Sequence, residues 1–223
     1  MKINLFAQAL VKFMLGIVMV GALIFLPAGT LNFQYGWMFM GILFIPMLIA
    51  GIVMLFKSPE LLKKRLNAKE KENDQSLVVK LSGLMFLAGF IVAGLGIRYD
   101  WYVLPKLVVV IASVVFLVGY IMYAEVLREN AYLSRTIEVQ ENQKVVDTGL
   151  YGIVRHPMYS ATILLFLSIP LVLGSAYALL IFCVYPFIIA SRLIHEEKFL
   201  EKELAGYKEY KQKVKYRLIP FIW

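Results

Sequence analysis

Long stretches of this chain carry almost no charge, and that restricts its fold more than any other feature. Gly36 to Phe56 is a run of twenty-one residues without an Asp, Glu, Lys or Arg. A bilayer hydrocarbon core of about 30 Å is crossed by roughly 20 apolar residues in a helix. Similar runs extend from Ala9 to Pro27, from Leu81 to Ile97, from Tyr102 to Ala124, from Tyr159 to Leu173 and from Ala176 to Ile194. The first contains Lys12, which can snorkel to the interface. A secretory signal peptide is the alternative for that segment. Its apolar stretch is long for one and a second span follows at once, which favours a retained helix. The pattern predicts an all-α, polytopic membrane helical bundle of about six transmembrane helices with a C-terminal amphipathic helix.

Composition agrees. Apolar residues make up 61% of the chain and charged residues 17%, against roughly 45–50% and about 25% in soluble domains. A soluble enzyme, a disordered chain and a disulfide-rich secreted domain are excluded. The single cysteine, Cys183, lies in an apolar run and is expected to be a buried small hydrophobe with no further role. The formal charge of +8 does not point to nucleic acid, because the positive residues gather in the loops between apolar runs. Anionic lipid and the positive-inside rule account for them.

Two polar connections, Lys57–Lys80 and Glu125–Pro157, divide the chain. Residues 1–124 are expected to form four transmembrane helices, and 125–223 a cytosolic loop, a helical hairpin and the amphipathic tail. Loops near 57–80, 125–158 and 192–223 hold seven, four and eight Lys/Arg, whereas the gaps near 28–35, 98–106 and 174–175 hold none, two and none. This asymmetry predicts an integral, multi-pass protein of a bacterial-type plasma membrane with both termini cytoplasmic. Gly174-Ser175 joins the last two apolar runs, and Pro170 and Pro186 inside them predict a tight, bent hairpin. From His195 to Val214 the tail reads as one amphipathic helix with Leu200, Leu204 and Tyr207 on one face. It is expected to anchor on anionic lipid or to cover the cytoplasmic mouth of the bundle.

The chain has two histidines, one on each side of the hairpin. Arg155-His156 precedes it and His195-Glu196-Glu197 follows it, so folding the hairpin brings these groups to one membrane-interface locus. Singly, each has an ordinary structural explanation. An Arg here can bind lipid phosphate, His-Pro can start a helix, and paired glutamates can begin a solvated helix. Together, a cationic pair facing an anionic pair suits a zwitterionic ligand. Successive helix residues point about 100° apart, so Glu196 and Glu197 do not face one pocket equally. Arg192, at i−4 from Glu196, can hold that carboxylate, which leaves Glu197 slightly ahead as the ligand-facing residue. Helical zinc spacing is absent, so no metal is expected. GxxxxGK[ST] and strand-linked GxGxxG patterns are absent too.

Lys144-Val145-Val146-Asp147-Thr148-Gly149-Leu150-Tyr151, then Arg155-His156-Pro157-Met158-Tyr159, then Arg192…Glu196-Glu197…Leu200 and the ending Tyr207…Tyr210…Val214…Arg217-Leu218-Ile219-Pro220 resemble one family in order and spacing. It is the integral membrane methyltransferases typified by isoprenylcysteine carboxyl methyltransferase and the phospholipid methyltransferases. The resemblance covers roughly residues 125–223. It implies that S-adenosylmethionine binds at the cytosolic face, with Gly149, Leu150 and Tyr151 near the adenosine and His156 and Tyr159 lining the pocket. Glu196 and Glu197 fall at positions the family uses for the cofactor. Arg155 and Glu197 become the candidate catalytic groups. A lipid-like acceptor (carboxylate, thiol or amine) would enter from the bilayer, with membrane lipids as the other partners. The rivals are an NADPH-dependent sterol-reductase-like enzyme, which shares the Arg-His-Pro-x-Tyr stretch, and a non-catalytic lipid-binding scaffold.

Overall fold

The computed structural model describes residues 2–67, 73–133 and 139–223. The parts of the two polar connections at 68–72 and 134–138 lie outside the described residues. The helices are α1 (Lys2–Ala28), α2 (Gln34–Lys57), α3 (Pro59–Asn67), α4 (Asn73–Arg98), α5 (Lys106–Glu129), α6 (Pro157–Val172), α7 (Ala176–Phe182), α8 (Tyr185–Glu203) and α9 (Tyr207–Lys213), with a 3-10 turn at Gly149–Gly152. Among the described residues the only β pairing is an isolated bridge between Val103 and Ser175. The all-α membrane bundle is borne out.

Among the described residues, five helical segments are long and apolar enough to cross a membrane: Leu5–Ala28, Gln34–Lys57, Leu77–Arg98, Lys106–Glu129 and Ala176–Glu203. The sixth apolar helix, α6, has 16 residues, or about 24 Å at 1.5 Å per residue. That falls short of the roughly 30 Å core, so the expected sixth span is a shorter helix. The last span is broken where α7 meets α8 at Cys183-Val184. Pro186 lies in the first turn of α8, where it has no N–H to donate and its ring excludes a continuous helix from α7. Cys183 sits at this break and is exposed, not buried.

Large apolar side chains such as Leu26, Leu107, Ile121, Leu180 and Phe187 face outward. In lipid this exposure is the required surface, because each helix already satisfies its own backbone. Inside, small residues permit close approach. A Cβ on Gly94 would lie 2.4 Å from the Ile24 carbonyl oxygen, and one on Gly119 would lie 2.9 Å from Leu165 Cγ. These positions let α4 close on α1 and α5 on α6. A core of Ile24, Phe39, Phe90, Phe116, Val172 and Phe182 fills the space between.

The two ends of the bundle differ. At one end Leu104 N–H donates to the Gly174 carbonyl at 2.9 Å, and Trp101 meets Tyr177 edge-on, closing the short connections. At the other end lie α3, the 139–156 segment and the tail. Lys12 reaches this end by donating to the Leu66 carbonyl.

The single amphipathic helix expected from His195 to Val214 is not formed. α8 continues out of the span to Glu203, the chain turns at Gly206 with φ of +83°, and α9 follows. A left-handed residue cannot propagate a right-handed helix, and glycine adopts that conformation without steric cost. The break turns Leu204, Tyr207, Tyr210 and Val214 inward. They form a second small core with Val139, Val145 and Leu200, so this face packs on the chain's own loop.

Candidate functional site

Pro157 stands in the first turn of α6, where its fixed φ suits a helix start. The residues just before it are held by the tail. Arg155 N–H donates to the Tyr216 carbonyl at 2.9 Å, and His156 N–H to the Arg217 carbonyl at 3.0 Å. Ser160 adds a hydroxyl donation to the Leu218 carbonyl at 2.6 Å. The motif before the hairpin is thus clamped against the C-terminal segment, a pairing across some sixty residues of sequence.

The clamp encloses an ion network around Glu197. Arg155 is 6% exposed and Glu197 3%. Arg155 Nε donates to Glu197 Oε1 at 2.6 Å, and its Nη1 donates to the carbonyls of Val214 and Lys215 at 2.7 and 2.8 Å. Arg217 Nε reaches Glu197 Oε2 at 2.9 Å. His156 Nε2 lies 3.3 Å from Glu197 Oε1 and 3.4 Å from the Tyr207 hydroxyl. Both carboxylate oxygens of Glu197 are therefore engaged by protein donors. A buried charge is tolerated only when it is paired in this way.

One residue earlier, Glu196 points elsewhere. It lines a polar cleft together with Arg155, His156, Tyr159, Arg192 and Tyr207, and Glu197 is not among the described lining residues. The Tyr159 hydroxyl donates to Glu196 Oε2 and accepts from Arg192 Nε at 3.0 Å. The His156 and Tyr159 rings stack with centroids 5.8 Å apart. The 100° offset between neighbouring helix residues thus separates the glutamates, but in the opposite sense to the sequence-based order, with Glu196 toward the cleft.

Of Gly149, Leu150 and Tyr151, only Tyr151 lines the cleft. Asn130 Nδ2 donates to its hydroxyl at 3.0 Å, and its carbonyl accepts from the Tyr210 hydroxyl at 2.8 Å. Burial pushes the Tyr151 phenol up to about 12, so it stays neutral and available as a donor. Gly149 adopts φ of +55° beside the Glu129 carboxylate, to which Thr148 also donates. His195 is exposed and donates from Nδ1 to the Ser191 carbonyl at 2.8 Å, so it does not join the locus predicted for both histidines.

Sequence reasoning did not single out Arg217, Tyr207 and Asn130 as site residues. Arg217 and Tyr207 do stand in the C-terminal part of the family-like pattern, Tyr207…Tyr210…Val214…Arg217, and that was the signal by which they could have been found. Asn130, which caps the C-terminus of α5, left no periodic signal.

The cleft carries both signs of charge side by side, with Met158, Val145, Leu200 and Leu204 as apolar wall. Its volume is about 100 Å³, below the ~300–1,000 Å³ of ligand pockets. Gln143 to Val146, with Tyr207 and Tyr210 of α9, form part of its wall. No group of three or more His, Cys, Asp or Glu suited to a metal occurs among the described residues.

These features define a class: a multi-pass helical membrane protein whose C-terminal half builds a polar, two-signed cleft at one end of the bundle. Residues 106–206 match the family model described as phospholipid methyltransferase. That segment contains α5 to α8 and both charged motifs, so the resemblance to the phospholipid methyltransferases is borne out there. The chain is also 30% identical over 93 residues to a Delta(14)-sterol reductase from Mus musculus. This stretch covers 40% of the present chain and 22% of the reductase, so the match spans less than a quarter of that relative.

Proposed function

We propose that the protein is an S-adenosylmethionine-dependent methyltransferase that acts on a lipid-like acceptor at the cytosolic face of the membrane. The observation that carries this reading is the cleft's pairing of an acidic and a basic side chain, Glu196 and Arg192, about one shared tyrosine hydroxyl. A ligand bearing both an ammonium and a carboxylate finds a partner for each there. The apolar wall of Val145, Leu200 and Leu204 gives a nucleoside ring a dry face. The residues present thus fit the cofactor in chemistry.

Bound there, the cofactor would supply an electrophilic methyl group on a sulfonium, for uptake by a lone pair of the acceptor with the former carbon–sulfur electrons left on sulfur. The protein's tasks are to align the two reactants and to exclude water. Tyr159 and Glu196 orient the ligand's cationic end. Arg192 and Arg155 face its anionic end. Glu197 acts indirectly, by fixing Arg155 and His156 in place.

A second reading, an NADPH-dependent reductase, is favoured by the 30% identity to the sterol reductase and by Lys144 at the cleft, since a 2′-phosphate calls for basic side chains. Melting curves of purified protein with S-adenosylhomocysteine and with NADPH separate the two. Stabilisation by S-adenosylhomocysteine alone is the expected result. Stabilisation by NADPH alone selects the reductase, and a response to neither selects the scaffold.

A further inference from the structure

Residues 218–223 close into a hook that turns apolar side chains outward. Leu218 and Ile219 both donate their N–H to the Trp223 carbonyl, at 2.9 and 3.0 Å, and the Trp223 N–H returns to the Ile219 carbonyl at 3.1 Å. Two residues of the hook point inward: Leu218 is buried in the main core, and Trp223 packs against that core. The others point away. Ile219 is exposed, Phe221 is 87% exposed and Ile222 76%.

Phe221 adopts φ of +65°, a left-handed conformation that is strained for a residue with a Cβ. Glycine would relieve the strain, yet this position carries a large aromatic ring. That ring touches Tyr216, with centroids 5.3 Å apart, and otherwise projects from the protein. What offsets the strain therefore lies outside the chain.

Depth identifies it. The hook is tied to the first turn of α6, where the Ser160 hydroxyl donates to the Leu218 carbonyl. Just beyond the other end of α6, Gly174 accepts from Leu104, beside the exposed aromatic residues Tyr99, Trp101, Tyr102 and Tyr177. A belt of that kind marks a membrane boundary. From there α6 runs back about 24 Å through a core of roughly 30 Å, so its first turn and the hook fall at the edge of the hydrocarbon rather than in open water. Exposed Lys215, just before the hook, supplies the cation that accompanies interfacial aromatics.

The hook is also joined to the clamp. The carbonyls of Tyr216 and Arg217 accept from the N–H groups of Arg155 and His156. Arg217 bonds Glu197 while its guanidinium lies 5.4 Å from the Trp223 ring centroid.

We infer that the 218–223 hook inserts Ile219, Phe221 and Ile222 into the lipid interface at the cleft end of the bundle, and that this contact holds the Arg155–His156 clamp in place. None of the six is among the described lining residues of the cleft, so the hook positions the site without touching a ligand. The inference stands on the tail alone and does not rest on the methyltransferase reading.

Two measurements on the full chain in phosphatidylcholine nanodiscs test it. A nitroxide on Ile222→Cys, in a Cys183→Ala background, reports depth through its relaxation by oxygen, which concentrates in lipid, and by a water-soluble nickel chelate. The label is expected to favour oxygen, as one on Phe187→Cys does, whereas one on Lys208→Cys favours nickel. Nickel access equal to that at Lys208 puts the hook in water, and shielding from both reagents puts it against protein, a second copy included. Either result overturns the inference. Hydrogen exchange at the Arg155 and His156 amides tests the coupling. Phe221→Gly relieves the backbone but removes the ring, so exchange there is expected to quicken at least tenfold, while Phe221→Trp keeps wild-type protection. The Leu104 amide, at the opposite end, is expected to exchange at the wild-type rate in both. Unchanged or stronger protection of Arg155 and His156 in Phe221→Gly overturns the coupling. If Leu104 quickens too, the milder Ile222→Ser, at a position without positive φ, decides by the same comparison.

Discussion

Glu196 and Glu197 are adjacent and chemically identical, yet they carry different burdens. Glu197 balances Arg155, Arg217 and His156 in a buried cluster. Removing one partner from such a cluster leaves an uncompensated charge and costs about 3–5 kcal/mol. Glu197→Gln is therefore predicted to lower the melting temperature sharply, and a variant that melts like the wild type contradicts the clamp. Arg155→Lys keeps the charge but loses the planar fork that serves Glu197 and two carbonyls at once. Its melting temperature is expected to fall as well, by less than in Arg155→Met, which leaves Glu197 with Arg217 and His156 alone. The sequence made it legible that only one glutamate faces a pocket, because helix geometry alone separates neighbours. Which one was not legible: the choice is made by Arg155 and Arg217, 42 and 20 residues away, and no local pattern records their reach.

The tail shows the same division one level up. Apolar spacing placed Leu200, Leu204 and Tyr207 on one face, which the structure packs into one small core, and the glycine that breaks the helix was present in the sequence. Periodicity outweighed it, because the residues on both sides fit helical spacing. Gly206→Ala is predicted to destabilise by about 1 kcal/mol or more, since φ of +83° is strained for a residue with a Cβ. Lys213 ties this element to the opposing loop through Asp147 at 2.6 Å. The lysine's hydrogen bond, then its charge, hold the Asp147 carboxyl below its usual range. A carboxylate depressed on folding contributes stability above its unfolded pKa and loses it as pH falls through the folded value. The tie is thus complete at neutral pH and released in acid. The pair is solvent-exposed, so salt weakens it as well. Hydrogen exchange in 139–147, corrected for intrinsic rates, is expected to quicken in Lys213→Gln and in high salt. Equal protection in all conditions shows that the small apolar core alone closes the cleft.

The bundle as a whole was the most legible level, because a bilayer accepts few solutions and uncharged runs announce them. The two departures, a short α6 and a split final span, both trace to prolines and local helix length, which hydropathy averages away. The site was half legible: the charged motifs were visible, but their sorting into a buried clamp and an open cleft depends on tertiary contact. The charge asymmetry predicts that the cleft end faces the cytosol. In a Cys183→Ala background, cysteine at Glu209 should resist an impermeant thiol reagent on intact cells, and cysteine at Tyr99 should react. The reverse pattern inverts the topology. The central claim, that the cleft holds the methyl donor through Glu196, is tested most directly by S-adenosylhomocysteine affinity in the Glu196→Gln variant. The side chain keeps its shape and loses its charge, so affinity is predicted to drop at least tenfold, about 1.4 kcal/mol, while the melting temperature of the ligand-free protein stays at the wild-type value. Wild-type affinity in Glu196→Gln contradicts the account.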